Sequence, residues 1–193
     1  MAGIGAGRTE PCLDSIGGLF NVYLFDFVSY KNWQIEVSDN VLNTYPPTTV
    51  FKYELRADGN TITSSLNDDE EGKSYNQSAS FVLKGLKSDA HEINSLIRKR
   101  LGVIVETRLG HFQIMGLYNG NVVKSIKGQT GGARSDFNGY NLELEAKESK
   151  DLFFINDLAS AGFTVFEPTI EDNFVFQDNN NFIFQDNNNF IFQ

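Results

Sequence analysis

From Leu19 to Val28 the chain reads LFNVYLFDFV, apolar at nearly every position. A run this short, and this rich in aromatic and β-branched residues, predicts a strand covered on both faces. Further on the pattern becomes strict alternation. Phe51, Tyr53, Leu55 and Ala57 alternate with Lys52, Glu54 and Arg56, which predicts a half-buried strand with one polar face. Asp58-Gly59 predicts a hairpin turn into a return strand over 61–66, with Ile62 and Leu66 inward. Asp68-Asp69-Glu70-Glu71-Gly72 predicts a charged loop, followed by a strand whose inner set is Tyr75, Ala79, Phe81 and Leu83. One segment has a helical period: Ala90, Ile93, Leu96, Ile97 and Leu101 share a face. Asp89-x-x-Glu92 is a capping box, Arg98, Lys99 and Arg100 suit a last turn, and Gly102 suits the residue after it. Strands resume over 103–106, 112–118, 122–127, 140–147 and 152–155, with turns at Leu109-Gly110, Asn119-Gly120 and Asn138-Gly139. The polar stretch before Tyr45 predicts no strand, and Pro46-Pro47 marks a break. The fold class expected is mainly β, a β-sandwich or half-barrel with one packed α-helix at about 89–101.

The two ends differ from this domain, which spans 17–166. Residues 1–16 are Gly-rich and read as a flexible arm; Gly3-Ile4-Gly5-Ala6-Gly7 lacks the preceding strand that a dinucleotide fingerprint needs. Residues 167–193 end in an octapeptide repeat: NFVFQDNN from Asn173, NFIFQDNN from Asn181, and NFIFQ from Asn189. Each unit reads as a short apolar strand and an Asp-Asn-Asn turn. The repeat suits a small meander, a strand added to a neighbour's sheet edge, or a duplicated Asn/Gln-rich tail without fixed structure. Its Asp-Asn runs lack the full pattern of an EF-hand calcium loop.

Charge narrows the function. The chain of 193 residues has 16 Lys+Arg against 25 Asp+Glu, a net charge of -9. The tail supplies Glu171, Asp172, Asp178 and Asp186 with no base, so the domain itself is of mixed charge. Such a balance argues against gripping nucleic acid by its phosphates or binding a membrane through a basic patch. The single cysteine, Cys12, excludes an internal disulfide and a multi-cysteine zinc site, and His91 and His111 are too few for a histidine metal centre. No apolar run has the length of a membrane span, and the start lacks a secretory pattern; a soluble chain of a reducing cytoplasm is expected. Catalytic constellations are weak. Cys12 has no marked base, Gly128-Gln129-Thr130-Gly131-Gly132 lacks the Lys-Ser or Lys-Thr of a phosphate loop, and the neighbouring acids Asp69 with Glu70 and Glu143 with Glu145 suit a charged turn and a solvated strand face. Neither an enzyme, a cofactor nor a metal is expected.

The order of the parts resembles the tail tube proteins of phages and prophages of Bacteroidetes-type bacteria. The blocks that carry the resemblance are PCLDSIGGLFNVYL from Pro11, LGVIVETRLGHFQIMGLYNG from Leu101, GQTGGARSDFNGYNLELEAKE from Gly128 and FFI from Phe153, together about residues 11–156. Leu109 stands where the pattern usually has a polar turn residue, and the octapeptide tail has no counterpart. The resemblance implies a tail tube or tail hub fold and a structural virion protein, made in the host bacterial cytoplasm, in a ring or tube that conducts the genome. Its partners would be itself as a hexameric ring closing a β-barrel, stacked rings, other tail or neck proteins, and double-stranded DNA passing without specific binding, with no membrane anchor. A hub or adaptor of a short-tailed phage uses the same fold. A β-sandwich binding module for host surfaces or carbohydrate, with Trp33 as a platform, is the alternative. On the tube reading, polar alternation supplies the bore: Lys52, Glu54 and Arg56; Thr61 and Thr63; Asn76, Ser78 and Ser80; Glu143 and Glu145. Glu54, Glu143 and Glu145 are expected to face the lumen and repel DNA. Candidates for contacts between subunits or rings are the arm, Pro46 and Pro47, the acidic residues Asp68, Asp69, Glu70 and Glu71, and Phe182 and Phe184 of the repeat.

Overall fold

The computed structural model describes residues 17–30, 34–55, 58–69, 72–85, 98–133 and 136–166. The fold is mainly β, in two sheets. Its strands are β1 (Leu19–Asp26), β2 (Glu36–Ser38), β3 (Val41–Thr44), β4 (Thr48–Glu54), β5 (Thr61–Asp69), β6 (Gly72–Lys84), β7 (Leu101–Thr107), β8 (Phe112–Met115), β9 (Val122–Gln129), β10 (Gly139–Glu148), β11 (Phe153–Ile155) and β12 (Phe163–Phe166). An eight-stranded sheet runs β12-β4-β1-β7-β8-β11-β3-β2, and a four-stranded sheet runs β5-β6-β10-β9. The pairs β12–β4 and β11–β3 are parallel; the others are antiparallel.

The large sheet must curl. β3 and β4 stand five places apart in its order, roughly 24 Å across a flat sheet. The chain from Thr44 to Thr48 reaches at most about 14 Å. The curl brings Tyr45, just after β3, onto Phe163 at the start of β12, with stacked rings 5.0 Å between centroids. Tyr45 donates its N–H to the Ala161 carbonyl at 2.8 Å, closing the seam. Gly162 makes this approach possible. Its φ is +100°, and a Cβ there would lie 2.3 Å from the Tyr45 carbonyl oxygen. Inside the curl lies one core, including Tyr23, Phe25, Leu42, Val50, Ile104, Ile114, Phe153 and Phe163. The other face of β1, β7 and β8 meets the small sheet in a second core, including Val22, Leu24, Phe81, Val103, Val105, Met115, Leu142 and Leu144. β1 is thus covered on both faces, as its almost wholly apolar run predicts. Among the described residues the end strands β12 and β2 share no ladder, and no barrel closes.

Four expectations change. Residues 86–97 lie outside the described residues, and with them most of the expected helix; its last turn is not helical, since Arg98–Arg100 form a turn and Leu101 opens β7. Gly102 is therefore no helix cap. It sits within β7 opposite Phe25, where an added Cβ would collide with the phenyl ring at 2.0 Å. Asp58-Gly59 folds no hairpin between its flanking strands, because β4 pairs with β1 and β12 while β5 pairs with β6; the turn carries the chain from one sheet to the other. The charged loop is shorter than expected. Asp68 and Asp69 belong to β5, where Asp68 pairs with Lys73 and Asp69 with Gly72, leaving Glu70 and Glu71 outside the described residues. Finally, β2 and β3 lie in the stretch read as polar. Their signal is Asp39-Asn40, both at positive φ in a two-residue hairpin loop between Ser38 and Val41, as a type I′ turn requires.

Candidate functional site

The feature that most invites a function is the outward face of the four-stranded sheet. Its inward positions, Ala79, Phe81, Leu83, Leu142, Leu144 and Ala146, are buried. Period-two alternation then fixes the outward set. Across the ladder, Thr61 stands beside Ser80 and Ser80 beside Glu143; Thr63 stands beside Ser78 and Ser78 beside Glu145; Ser65 stands beside Asn76 and Asn76 beside Lys147. Ser125 of β9 completes the first row opposite Glu143. The face is mostly hydroxyl and amide, with the Thr63 and Ser78 hydroxyls 2.7 Å apart. Both edges of this sheet, β5 and β9, are end strands.

Of the three expected lumen residues, Glu143 and Glu145 lie together here. Glu54 does not: it is on the large sheet, in register with Asn21 and through it with Glu106. Its parity is that of Val50, which faces the inner core, while Tyr53 and Leu55 face the small sheet. In that row Glu106 Oε2 accepts from the Asn21 amide at 2.7 Å and from the Tyr23 hydroxyl at 2.8 Å. Lys52 stands opposite Tyr23 on the same face. The outward face of the small sheet is also less acidic than its glutamates alone suggest. Lys124, Lys127 and Lys147 share it, and Lys124 Nζ lies 3.5 Å from Glu145 Oε2. An open groove of about 470 Å³ at the β9 side is lined by Arg100, Asn119, Val122, Lys124, Glu145 and Lys147.

Buried polar groups pin the small sheet to the large one at one corner. Gln77 accepts from the Gly116 N–H at 2.9 Å and donates to the Lys150 carbonyl at 3.1 Å. Asn121, fully buried, donates to the Leu101 and Met115 carbonyls, each at 2.9 Å. Glu148 Oε1 accepts from the N–H groups of Tyr118 and Asn119 at 3.1 and 2.7 Å. Burial pushes its carboxyl above the ordinary glutamate value, and those two bonds pull it partly back. None of these three residues stood out in sequence, because a buried polar side chain on a strand looks like a surface one until its partners are placed. Glu148 has one legible sign: it falls on the inward parity after Leu142, Leu144 and Ala146.

The remaining sequence candidates resolve individually. In the Gly-rich loop, Gly132 and Ala133 donate their N–H groups to Asp136 Oδ2 at 2.8 and 2.7 Å. The loop is filled by its own carboxylate, which those bonds hold below the usual range. His111 is an exposed turn residue whose N–H donates to Thr107 Oγ1. Pro46 is half-buried and Pro47 exposed in the link between β3 and β4. Cys12, Trp33, Arg56, His91, Phe182 and Phe184 lie outside the described residues. Among the described residues, no helix is long and apolar enough to cross a membrane, and no three His, Cys, Asp or Glu side chains gather as a metal site.

Compared with protein-family models, curated proteins and solved structures, the chain finds no match.

Proposed function

We propose that this chain is a structural virion protein of a bacteriophage tail, the subunit of a ring or tube through which the genome leaves. The observation that carries the proposal is the four-stranded sheet, with one face bound to a doubly buried scaffold, the other polar, and both end strands without a further partner among the described residues. A sheet of this kind is complete when copies pair edge to edge. The β5 edge of one copy joins the β9 edge of the next, and the array closes as a ring with the polar face around the bore. The resemblance of the ordered sequence blocks to tail tube proteins supports the same role.

In such a ring the lining works by neutrality more than by repulsion. Thr61, Thr63, Ser65, Asn76, Ser78, Ser80 and Ser125 present small polar groups, Lys124 is paired with Glu145, and Lys127 and Lys147 stand opposite Asn141 and Asn76. Each unopposed cation would add a phosphate contact and slow the passage of DNA. Glu54, on the other sheet, has no part in that lining. The ring acts in the virion, with further rings and tail or neck proteins as partners; the hub or adaptor of a short tail is the same assembly with fewer rings. Electron microscopy of the concentrated full chain tests the proposal. Rings or tubes with a central channel are expected, and a preparation that stays monomeric from dilute to concentrated overturns it.

A further inference from the structure

The four-stranded sheet ends differently on its two sides. Its ladder between β6 and β10 stops at the pair Tyr75–Glu148, but β5 and β6 pair on through Asn67–Ser74, Asp68–Lys73 and Asp69–Gly72. A two-stranded ribbon therefore runs three pairs past the sheet. Period two puts Leu66 and Asp68 on one side of it. Leu66 is 51% exposed and the Asp68 side chain 66%. The sequence here is acidic, with Asp68, Asp69, Glu70 and Glu71 against Lys73. Lys73 Nζ lies 3.7 Å from Asp68 Oδ2, and a pair this exposed neutralises the ribbon weakly.

The groove at the β9 side has the opposite character. Arg100, Lys124 and Lys147 line it against one carboxylate, Glu145, with the half-exposed Val122 among them. Lys124 is paired with Glu145, while among the described residues Arg100 and Lys147 form no salt bridge. Arg100 Nη1 donates to the Asn119 carbonyl at 2.9 Å, which holds the guanidinium at the groove wall and leaves its other N–H groups to donate elsewhere. This is an excess of positive charge on a chain whose net charge is -9. We infer that the groove receives the β5–β6 ribbon of a second copy, with Asp68 against Arg100 and Lys147 and Leu66 against Val122. Leu66 and Asp68 are roughly 7 Å apart along β5, a span that a groove of about 470 Å³ holds. A free phosphate would answer the cations but leave Val122 uncovered. Ribbon and groove lie on opposite sides of one sheet, and surfaces that are complementary but different make a head-to-tail contact that repeats from copy to copy. The contact rests on copies meeting in the order proposed for the ring, β5 side to β9 side, but it uses side chains and not a strand edge. One such contact is small, so it is weak between two copies and gains strength when many act together.

Sedimentation of the full chain across protein concentration and salt tests this. Self-association is expected, and it should weaken by about 10-fold between about 0.05 and about 0.5 M NaCl. Asp68→Lys and Lys147→Asp, both at exposed positions, are each expected to weaken it by about 10-fold or more. An equimolar mixture of the two variants retains one native contact, the acidic ribbon of the K147D chain in the basic groove of the D68K chain. The mixture should therefore form heterodimers and no larger species, which also shows that both variants fold. Association that ignores salt and both substitutions overturns this contact and leaves the ring standing, and so does a mixture that stays monomeric while each variant keeps the native circular dichroism. A native chain that is monomeric at every concentration overturns both readings. Salt-sensitive association that the two substitutions abolish, without rings, overturns the ring alone.

Discussion

Strands β1 and β6 are both rich in apolar residues, yet they live in different surroundings. β1 is buried from Asn21 to Phe25, with Tyr23 and Phe25 turned to one core and Val22 and Leu24 to the other. β6 alternates instead: Gln77, Ala79, Phe81 and Leu83 are buried while Ser78 lies exposed. The difference separates scaffold from surface. A strand between two cores has no freedom to change its chemistry, whereas a strand with one bare face can carry any polar set that leaves its inward residues intact. The function proposed for the chain resides on that second kind of strand, and the first holds it in place.

The sharpest way to break the comparison is to empty each core in turn. Phe163→Ala opens the inner core at the seam, and Phe81→Ala opens the core between the sheets; both side chains are almost wholly buried. Each is expected to cost about 3–5 kcal/mol in urea unfolding. If the small sheet is the dependent layer, F81A frees the amides of β6 and β10 to exchange while β1 and β7 stay protected, and F163A loosens the large sheet first.

Next in size is the polar corner. Glu148→Ala leaves the N–H groups of Tyr118 and Asn119, at a partly buried turn, without their acceptor, and is expected to cost about 1–3 kcal/mol. Glu148→Gln keeps an acceptor and should cost less than about 1.5 kcal/mol. The pH dependence separates charge from hydrogen bonding. Because the folded carboxyl sits above its ordinary value, the folded state holds this proton more tightly than the unfolded chain does. Stability therefore falls as pH rises from the ordinary glutamate range through the raised value. E148Q should flatten that part of the denaturation profile; an unchanged slope would show that Glu148 does not cause it.

The smallest effect is at Asp136. D136N is expected to speed exchange at Gly132 and Ala133 with no measurable change in the unfolding midpoint. For this lowered carboxyl the sign is opposite to Glu148: its contribution is present above the ordinary aspartate value and is lost as pH falls through the depressed one. The native loop should therefore loosen in acid as the variant does at neutral pH. Protection of these two amides that does not change with pH would count against the assignment.

Alternation made the small sheet legible. Alternation assigns Thr61, Thr63, Asn76, Ser78, Ser80, Glu143 and Glu145 to polar positions, and the ladder sets them on one face. Lys52 and Glu54 show the same local pattern on the other sheet, since period two says which residues share a face and not which sheet that face belongs to. The Asp58-Gly59 turn misled for a related reason: a turn dipeptide reports a change of direction, and here the change leads to another sheet. β2, β3 and β12 have four residues or fewer, too short for any periodicity to declare itself, and they are held by tertiary partners such as the Tyr45–Phe163 stack, whereas the three-residue β11 falls within the strand expected over 152–155. Lys124 and Lys127 escape that grouping because β9 carries a register shift opposite Glu143 and Leu144, which breaks its alternation.

The most direct test is a cryo-electron-microscopy reconstruction of the full chain at high concentration. The expected image is a closed ring in which β5 of each copy pairs with β9 of the next, with Ser78 and Glu143 facing an open channel. Solitary subunits at every concentration, or an assembly whose channel is lined by the large sheet, would contradict it.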